Sequence, residues 1–469
     1  MDFVSYKISD ISLSMKTGKT PSTKEKLFFE GDVPWITTSD LKGQKKLDIT
    51  EKTISELAII EKQAFTFEEE TVIISTIGEI GKACITSKKM ACNQQLTGVK
   101  VNKKIIIPDL FYYWIVKNQQ LLNFKANKSI ISILNNKTLR DIVISFPKDQ
   151  KNQRNIVAQL DQIQNIIDFK VKTILTIESL IEATFYKMFG DAVNNQNKYP
   201  KKKLKDIVKK NKIITYGIVQ AGPNIENGIP YIRSGDIKNK SIKIDKLLRT
   251  SKIIASKFER SSCSEGDIVM SIRASIGEVA MVPIELEGVN LTQGTARISP
   301  NEKLINKYFL FQILANDGFK FLLNKHVKGS TFKEISLKKL REIEIPVPKD
   351  LNLQKQFEKI YLDLNFQKTK IKETIEVLEE LFQSVLTNAF EENHEINEES
   401  IFEDLIKQFS IEDLKSKKER LQYLINLFSE SNLNDISNYN NAKEKLFELL
   451  DEEAIEQTFD GDNIKINVK

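Results

Sequence analysis

Few residues of this chain have the types and spacing that catalysis or metal binding requires. The only histidines, His326 and His394, lie far apart and without ligand spacing, so the sequence supports neither a zinc site nor a histidine-based triad. The run Gly18 to Thr20 ends like a triphosphate-binding loop, but the glycine that such a loop needs five positions earlier is Leu13. The sequence therefore predicts a non-catalytic chain without a metal site.

The cysteines and the apolar runs indicate the cellular compartment of the protein. Cys84, Cys92 and Cys263 have no metal spacing and cannot all pair, which fits a reducing cytoplasm, and we interpret them as small buried side chains. The first 14 residues have no apolar segment of a signal peptide. The longest apolar run, Ile105 to Val116, is shorter than the ~20 residues of a membrane span. We expect a cytoplasmic protein.

The charge is distributed unevenly along the chain. Residues 395–469 contain 18 acidic and 9 basic residues, so the net charge of +6 leaves +15 on residues 1–394. A surface this basic suits a phosphate backbone, because neutralising phosphates releases counterions. The alternative is that lysine reflects the compositional bias of a chain rich in Lys, Ile and Asn and only solubilises it.

A repeat of about two hundred residues dominates the sequence. A period this long indicates duplicated domains rather than a solenoid of short repeats. At a spacing of 196 the identical pairs are Lys7/Lys203, Asp10/Asp206, Ile11/Ile207, Pro34/Pro230, Ile36/Ile232, Asp40/Asp236, Lys42/Lys238, Ser75/Ser271 and Gly81/Gly277. At a spacing of 201 they are Leu139/Leu340, Arg140/Arg341, Ile142/Ile343, Ile144/Ile345, Pro147/Pro348, Lys148/Lys349, Asp149/Asp350 and Gln153/Gln354.

Each repeat combines a globular part with a helical part. Residues 1–148 and 198–349 mix short β-rich runs, turn residues and one helix-like stretch, which predicts an α+β or α/β fold for both. Strands are predicted near Thr71 to Ser75 and Asp267 to Ser271, and helices near Leu110 to Phe124 and Ile305 to Leu323. The two domains should be related by a pseudo-twofold axis.

Long helices should follow each globular part, over 149–190 and 350–393. Asp149 and Asp350 are plausible N-caps after a proline-terminated strand. A helix of about 35 residues is about 52 Å long, so an antiparallel pair would hold two domains apart. Heptad spacing predicts a coiled-coil seam rather than an isolated surface helix. Its positions, which we assign to the spacer and to partner binding, are Leu160, Ile167, Ile174, Ile181, Leu364, Ile371, Leu378 and Val385.

The acidic segment 395–469 has no counterpart in the first half. Apolar residues at helical spacing between Ile401 and Leu450 predict two or three short amphipathic helices, so we expect a helical C-terminal extension. A docking or autoinhibitory module is one interpretation. A plain helical appendage is the other.

A set of short motifs occurs in a fixed order within the duplicated plan. These motifs are Pro34 to Asp40, Pro230 to Asp236, Ile80-Gly81, Ile276-Gly277, Gly329-Ser330-Thr331, Ile345 to Pro348 and Gln354. By this plan and these motifs, residues 1 to about 393 resemble the specificity subunit of type I restriction-modification systems.

The resemblance implies two target recognition domains, each recognising one half of an interrupted double-stranded DNA site. It also implies two helical spacers on which two methyltransferase subunits dock, with restriction subunits joining the complex to direct adenine methylation and cleavage. No cofactor is expected on this chain, because S-adenosylmethionine, ATP and Mg²⁺ would belong to the partner subunits. A stand-alone DNA-binding regulator or scaffold is the alternative, and an unrecognised nuclease or methyltransferase is the third hypothesis.

The two repeats differ where contact residues are expected, which predicts an asymmetric DNA site. Arginine suits guanine and glutamine suits adenine in the major groove, although each of these side chains could instead bond its own loop. Trp35 and Tyr231 are interpreted as core aromatics. The first candidates for base contacts are Gln94, Gln95, Arg233, Arg273 and Gln293, and further candidates for DNA contact are Thr37 and Thr76, which differ between the repeats. The candidates for phosphate contacts are Lys128, Ser129, Lys328 and Ser330, and Thr331 is a further candidate for DNA contact.

Overall fold

The computed structural model describes residues 2–128, 132–191, 194–327, 334–390, 455–460 and 463–468. The chain divides into two compact units. Unit 1 comprises Met1–Ile167 and Val377–Lys469, and unit 2 comprises Asp168–Glu376. None of the described helices combines the length and the apolar character needed to cross a lipid bilayer.

Unit 1 has mixed α and β content. Its short helices are α1 (Ile8–Ile11), α2 (Glu56–Ile60), α3 (Pro108–Lys117), α4 (Gln119–Lys125) and α5 (Asn136–Asp141). Its strands are β1 (Phe3–Lys7), β2 (Ser12–Thr17), β3 (Val33–Ile36), β4 (Lys46–Leu47), β5 (Thr53–Ile54), β6 (Thr66–Phe67), β7 (Val72–Ser75), β8 (Ala83–Thr86), β9 (Met90–Cys92), β10 (Leu96–Val101), β11 (Asn127–Lys128), β12 (Ser132–Ile133) and β13 (Val143–Pro147).

Two mixed sheets form the body of unit 1. One has the strand order β2-β10-β7-β8-β4 and the other has the order β5-β3-β9-β6. Both contain a parallel pair, β4 with β8 and β3 with β9. Strands β7 and β8 are buried along their whole length, which explains their nearly continuous apolar sequence. The loops after β3, after β7 and before β10 are thereby fixed to buried strands.

Unit 2 repeats this plan with its own elements. Its short helices are α7 (Lys252–Lys257), α8 (Lys307–Leu314), α9 (Asp317–Asn324) and α10 (Leu337–Glu342). Its strands are β14 (Lys201–Lys203), β15 (Thr215–Tyr216), β16 (Ile229–Ile232), β17 (Ile237–Lys238), β18 (Ser241–Ile242), β19 (Leu248–Thr250), β20 (Ile268–Ser271), β21 (Val279–Met281), β22 (Asn290–Leu291), β23 (Thr295–Ile298) and β24 (Glu344–Pro346). The main sheets have the orders β15-β23-β20-β21 and β19-β16-β22.

The predicted strands are confirmed at β7 and β20, but each predicted globular helix is divided into two. Asn118 ends α3 with non-helical dihedral angles before α4 starts. Asn316 caps α9, because its side chain accepts a hydrogen bond from the backbone N–H of Gly318. The sequence spacing alone could not separate a continuous helix from two consecutive ones.

Two long helices occupy the predicted positions, α6 (Gln150–Phe189, 40 residues) and α11 (Leu351–Asn388, 38 residues). At 1.5 Å per residue they are about 60 Å and about 57 Å long. The predicted caps are confirmed: Asp149 Oδ1 accepts from the N–H of Lys151 at 3.0 Å, and Asp350 Oδ1 accepts from the N–H of Asn352 at 2.8 Å. Each long helix contributes residues to both units.

Within unit 2 the two long helices run antiparallel. The ring of Phe189 lies 5.9 Å from that of Phe357, and Lys368 Nζ lies 3.3 Å from Glu178 Oε1. The heptad side chains differ in burial. Leu160, Ile167 and Ile181 are buried within this chain and the other five are half-buried, and their assignment to the spacer and to partner binding stays a prediction.

The end of the C-terminal extension forms a hairpin. Strand β25 (Ile455–Asp460) pairs antiparallel with β26 (Asn463–Val468), so the helical expectation does not hold for these residues. The amphipathic helices predicted between 401 and 450 lie outside the described residues.

Candidate nucleic-acid interface

Three loop segments of unit 1 are joined by backbone hydrogen bonds, and we call them the three-loop cluster. The N–H of Asn93 donates to the carbonyl of Ile36 at 3.0 Å, which ties the third loop to the end of β3. The N–H of Thr76 donates to the carbonyl of Gln95 at 2.9 Å, which ties the second loop to the third. The three loops are Thr37–Asp40, Thr76–Gly78 and Asn93–Gln95.

Unit 2 contains the same cluster with the same two bonds. The N–H of Thr292 donates to the carbonyl of Ile232 at 3.1 Å, and the N–H of Ile272 donates to the carbonyl of Gly294 at 2.8 Å. The hydroxyl of Ser234 adds a bond of 2.8 Å to the carbonyl of Gly294. The loops of this second cluster are Arg233–Asp236, Ile272–Ala274 and Thr292–Gly294.

The third loop reveals a register that the sequence comparison missed. These bonds match Gln94 with Gln293 and Gln95 with Gly294, a spacing of 199 between the two spacings seen in the sequence. Two glycines follow the same spacing. A Cβ on Gly18 would lie 2.3 Å from the carbonyl oxygen of Cys92, and a Cβ on Gly217 would lie 2.0 Å from that of Leu291. Close packing of backbones therefore accounts for Gly18.

An aspartate anchors the first loop in each unit. Asp40 Oδ2 accepts the N–H of Thr37 at 2.8 Å, and Asp236 Oδ2 accepts the N–H of Arg233 at 2.8 Å. Both carboxylates are buried. The sequence repeat identified these two aspartates as a matching pair. Only the structure shows that each one accepts hydrogen bonds from the backbone and the side chain of the residue three positions earlier.

The candidates for base contacts in unit 1 all lie in the three-loop cluster, but they are not equally accessible. Gln94 is exposed and its carboxamide is bonded by the hydroxyl of Thr20. Gln95 and Thr37 are half-buried. Thr76 is buried, and its hydroxyl is 3.3 Å from the carbonyl oxygen of Gln95. Thr76 is therefore an interior residue, and we withdraw it as a base contact.

Unit 2 brings its three candidates together in the same way. Arg233 lies on the first loop, Arg273 on the second and Gln293 on the third. Arg273 is exposed and Gln293 is half-buried. Both arginines are paired with acids of their own unit: Arg233 Nη2 lies 2.8 Å from Asp236 Oδ1, and Arg273 Nε lies 3.0 Å from Glu334 Oε2. DNA contact by these residues remains a prediction.

The candidates for phosphate contacts fall on a part of the chain that is only partly described. The backbone of Lys128 belongs to β11, which pairs with β12. Ser129, Lys328, Ser330 and Thr331 lie outside the described residues.

The prediction that two aromatic residues and the three cysteines are buried in the core is confirmed. Trp35 and Tyr231 are buried on equivalent strands. Burial raises the pKa of Cys84 to about 12 and also raises the pKa of Cys92 and Cys263. Among the described residues, no group of three or more His, Cys, Asp and Glu side chains could hold a metal ion.

Two copies of one loop frame, carrying different polar side chains, define a duplicated protein. Residues 1–179 and 196–380 match the family model of the type I restriction modification DNA specificity domain. The chain belongs to this family, as its motifs indicated. It is therefore a DNA-recognition subunit without catalytic activity of its own.

Individual relatives agree with this assignment. The chain is 22% identical over 347 residues to the type I restriction enzyme EcoBI specificity subunit of Escherichia coli, which covers 68% of this chain and 73% of that protein. It is 26% identical over 381 residues to the MjaIX specificity subunit of Methanocaldococcus jannaschii, covering 74% and 84%. A solved chain of a type I R-M system has a similar fold, with a TM-score of 0.52, 14% identity and coverage of 83% of this chain and 97% of that chain.

Proposed function

We propose that each unit recognises one half of a bipartite, asymmetric DNA site. The observation that carries this proposal is the three-loop cluster, which has one backbone frame and two sets of side chains. Where unit 1 has Thr37, unit 2 has Arg233, and where unit 1 has Gln95, unit 2 has Gly294. Side chains with different donors and acceptors favour different bases in the major groove. The two halves of the site should therefore differ in sequence.

The basic body of the chain supports binding to the DNA backbone. The +15 on residues 1–394 provides the sequence-independent part of the affinity. Lys128, Ser129, Lys328, Ser330 and Thr331 are proposed as phosphate contacts, which would position the bases without selecting them.

The two long helices are proposed to pair as a coiled coil with pseudo-twofold symmetry. They are also proposed to dock two methyltransferase subunits. Large exposed apolar side chains on both helices support docking, because exposed apolar surface can mark a protein–protein interaction site. Phe169 on α6 is 71% exposed, and Phe366 on α11 is 64% exposed. Leu175 and Val377 are exposed as well. These side chains, rather than the buried heptad residues, should contact the partner.

The partners supply the chemistry in this proposal. S-adenosylmethionine would be bound by the methyltransferase subunits, and ATP with Mg²⁺ by restriction subunits, in the cytoplasm. The chain itself directs adenine methylation and restriction to the site. A stand-alone regulator and an unrecognised nuclease are not favoured, because family membership points to a subunit of a larger complex.

Mapping N6-methyladenine in cells with and without this gene tests the proposal. An interrupted, asymmetric motif should disappear when the gene is lost and return with the gene on a plasmid. Replacing residues 1–147 with the corresponding segment of another family member should change one half of the motif only. If both halves changed together, the assignment of one unit to each half would be wrong.

A further inference from the structure

Arg233 is held in one orientation by a buried carboxylate. Its Nε donates to Asp236 Oδ2 at 2.9 Å and its Nη2 donates to Asp236 Oδ1 at 2.8 Å, a two-point contact that fixes the plane of the guanidinium. Asp236 is buried and also accepts the backbone N–H of Arg233, so the carboxylate itself cannot rotate freely. The hydrogen bond with Asp236 raises the pKa of Arg233 above its ordinary value, so the guanidinium stays charged.

The opposite edge of this guanidinium faces outward. The Arg233 side chain is 42% exposed although its partner is buried. Within the described residues, its Nη1 makes no hydrogen bond and its Nη2 makes only one further contact, 3.4 Å to the carbonyl of Lys246. A guanidinium fixed along one side can present Nη1 and, by giving up the long contact to Lys246, Nη2 to the paired acceptors N7 and O6 of guanine.

Unit 1 uses the same anchor for a different side chain. Asp40 Oδ2 accepts from the hydroxyl of Thr37 at 2.8 Å, and Asp40 Oδ1 accepts the N–H of Glu51 at 2.8 Å. The Oδ1 oxygen, which accepts from Nη2 of the arginine in unit 2, thus accepts from a backbone N–H in unit 1. The residue directly after β3 or β16 therefore differs between the units, whereas the aspartate that binds its side chain is the same in both.

The other paired arginine of the cluster lacks this rigidity. Arg273 and Glu334 are 46% and 50% exposed, and an ion pair this open is weak and mobile. A side chain ordered before binding loses less entropy on contact than a mobile one. Arg233 is therefore the better placed of the two to discriminate between bases.

We infer that Asp236 is a positioning residue that aims Arg233 at a guanine in the half-site of unit 2. This inference rests on the proposed function, since it requires that unit 2 binds a half-site. It goes further by naming the residue pair and the base. Thr37 cannot make this contact, so the half-site of unit 1 should have no guanine selected in this way.

The test uses the full-length chain in complex with its methyltransferase subunit and a pool of DNA duplexes randomised at both half-sites. The bound duplexes are sequenced at two salt concentrations. The wild-type complex should prefer guanine at one position of one half-site by about 10-fold to 100-fold. Arg233→Thr, which installs the residue of unit 1, should reduce that preference to about twofold or less and leave the other half-site unchanged.

Two further variants separate positioning from charge and from folding. Arg233→Lys keeps the charge but not the planar fork, so the guanine preference should fall while the salt dependence is retained. Asp236→Asn should weaken the preference about tenfold by loosening Arg233. The matched control is Arg260→Thr, which removes an exposed arginine of unit 2 outside the three-loop cluster and should affect all sequences alike.

The outcomes distinguish this inference from the proposed function. If the wild-type complex selects a bipartite site without a guanine in the half-site of unit 2, or if Arg233→Lys keeps the full preference, the inference is overturned and the proposed function stands. If the wild-type complex selects no bipartite site, the proposed function fails. Should Arg233→Thr unfold unit 2, the result for Arg233→Lys decides.

Discussion

The anchoring of α6 in unit 1 depends on one buried side chain, Gln153. Its Nε2 donates to the carbonyls of Ile105 and Pro147, both at 2.9 Å, and its Oε1 accepts the N–H of Ile107 at 3.0 Å. Gln153→Ala removes all three bonds and leaves three polar groups without partners. At about 1 kcal/mol or more for each such group, the free energy of unfolding should fall by about 3 kcal/mol or more.

A charged analogue of the same size gives a second, pH-dependent test. In Gln153→Glu the ionised carboxylate can still accept the N–H of Ile107, but it cannot donate to the two carbonyls. The carbonyls favour the protonated acid, so the pKa of this glutamate in the folded protein should lie above the ~4.3 of a free side chain. Between about pH 4.3 and the raised pKa, the folded state then binds more protons than the unfolded state. The variant should therefore be less destabilised at pH 5 than at pH 8.

The two tryptophans of the chain, Trp35 and Trp114, are both buried in unit 1, so their fluorescence during urea unfolding reports that unit. Gln354→Ala is the matched control, because it removes the equivalent side chain, with bonds to Asn306 and Pro348, from unit 2. It should change the fluorescence transition much less than Gln153→Ala does. The reasoning would be refuted if Gln153→Ala cost less than about 1 kcal/mol, or if Gln153→Glu were equally unstable at both pH values.

Two other predictions concern backbone strain and the thiols. Gly78 has φ +81° and a new Cβ there would touch nothing within 4 Å, so Gly78→Ala should destabilise unit 1 by about 1 kcal/mol through the backbone alone. Ala274 has φ +59° at the equivalent position, so Ala274→Gly should stabilise unit 2. The two variants should shift the thermal unfolding temperature by about 2–4 °C in opposite directions. Shifts in the same direction would contradict this explanation. Because burial raises the pKa of Cys84 to about 12 and also that of Cys92 and Cys263, no thiol should react with iodoacetamide at pH 8 until the protein is denatured. Mass spectrometry of the labelled native protein checks this, and alkylation at any of the three would count against the buried core.

The sequence alone predicted the features that depend on neighbouring residues. The starts of α6 and α11 follow from Asp149 and Asp350, which cap the first turn through local hydrogen bonds. The buried strands β7 and β20 follow from short apolar runs between turn residues. The duplication follows from counting identities, and it led to the family that the comparisons confirm. None of these features requires knowledge of distant contacts.

Only the tertiary structure decided which candidate side chains are available for DNA. Thr76 in unit 1 and Arg233 in unit 2 were both candidates for DNA contact, yet Thr76 is buried and the Arg233 side chain is exposed along one edge. The correspondence of Gln94 with Gln293 needed bonds between loops that are far apart in sequence. Burial and pairing of a side chain depend on residues brought together by the fold, whereas capping and periodicity depend on residues within one or two helical turns.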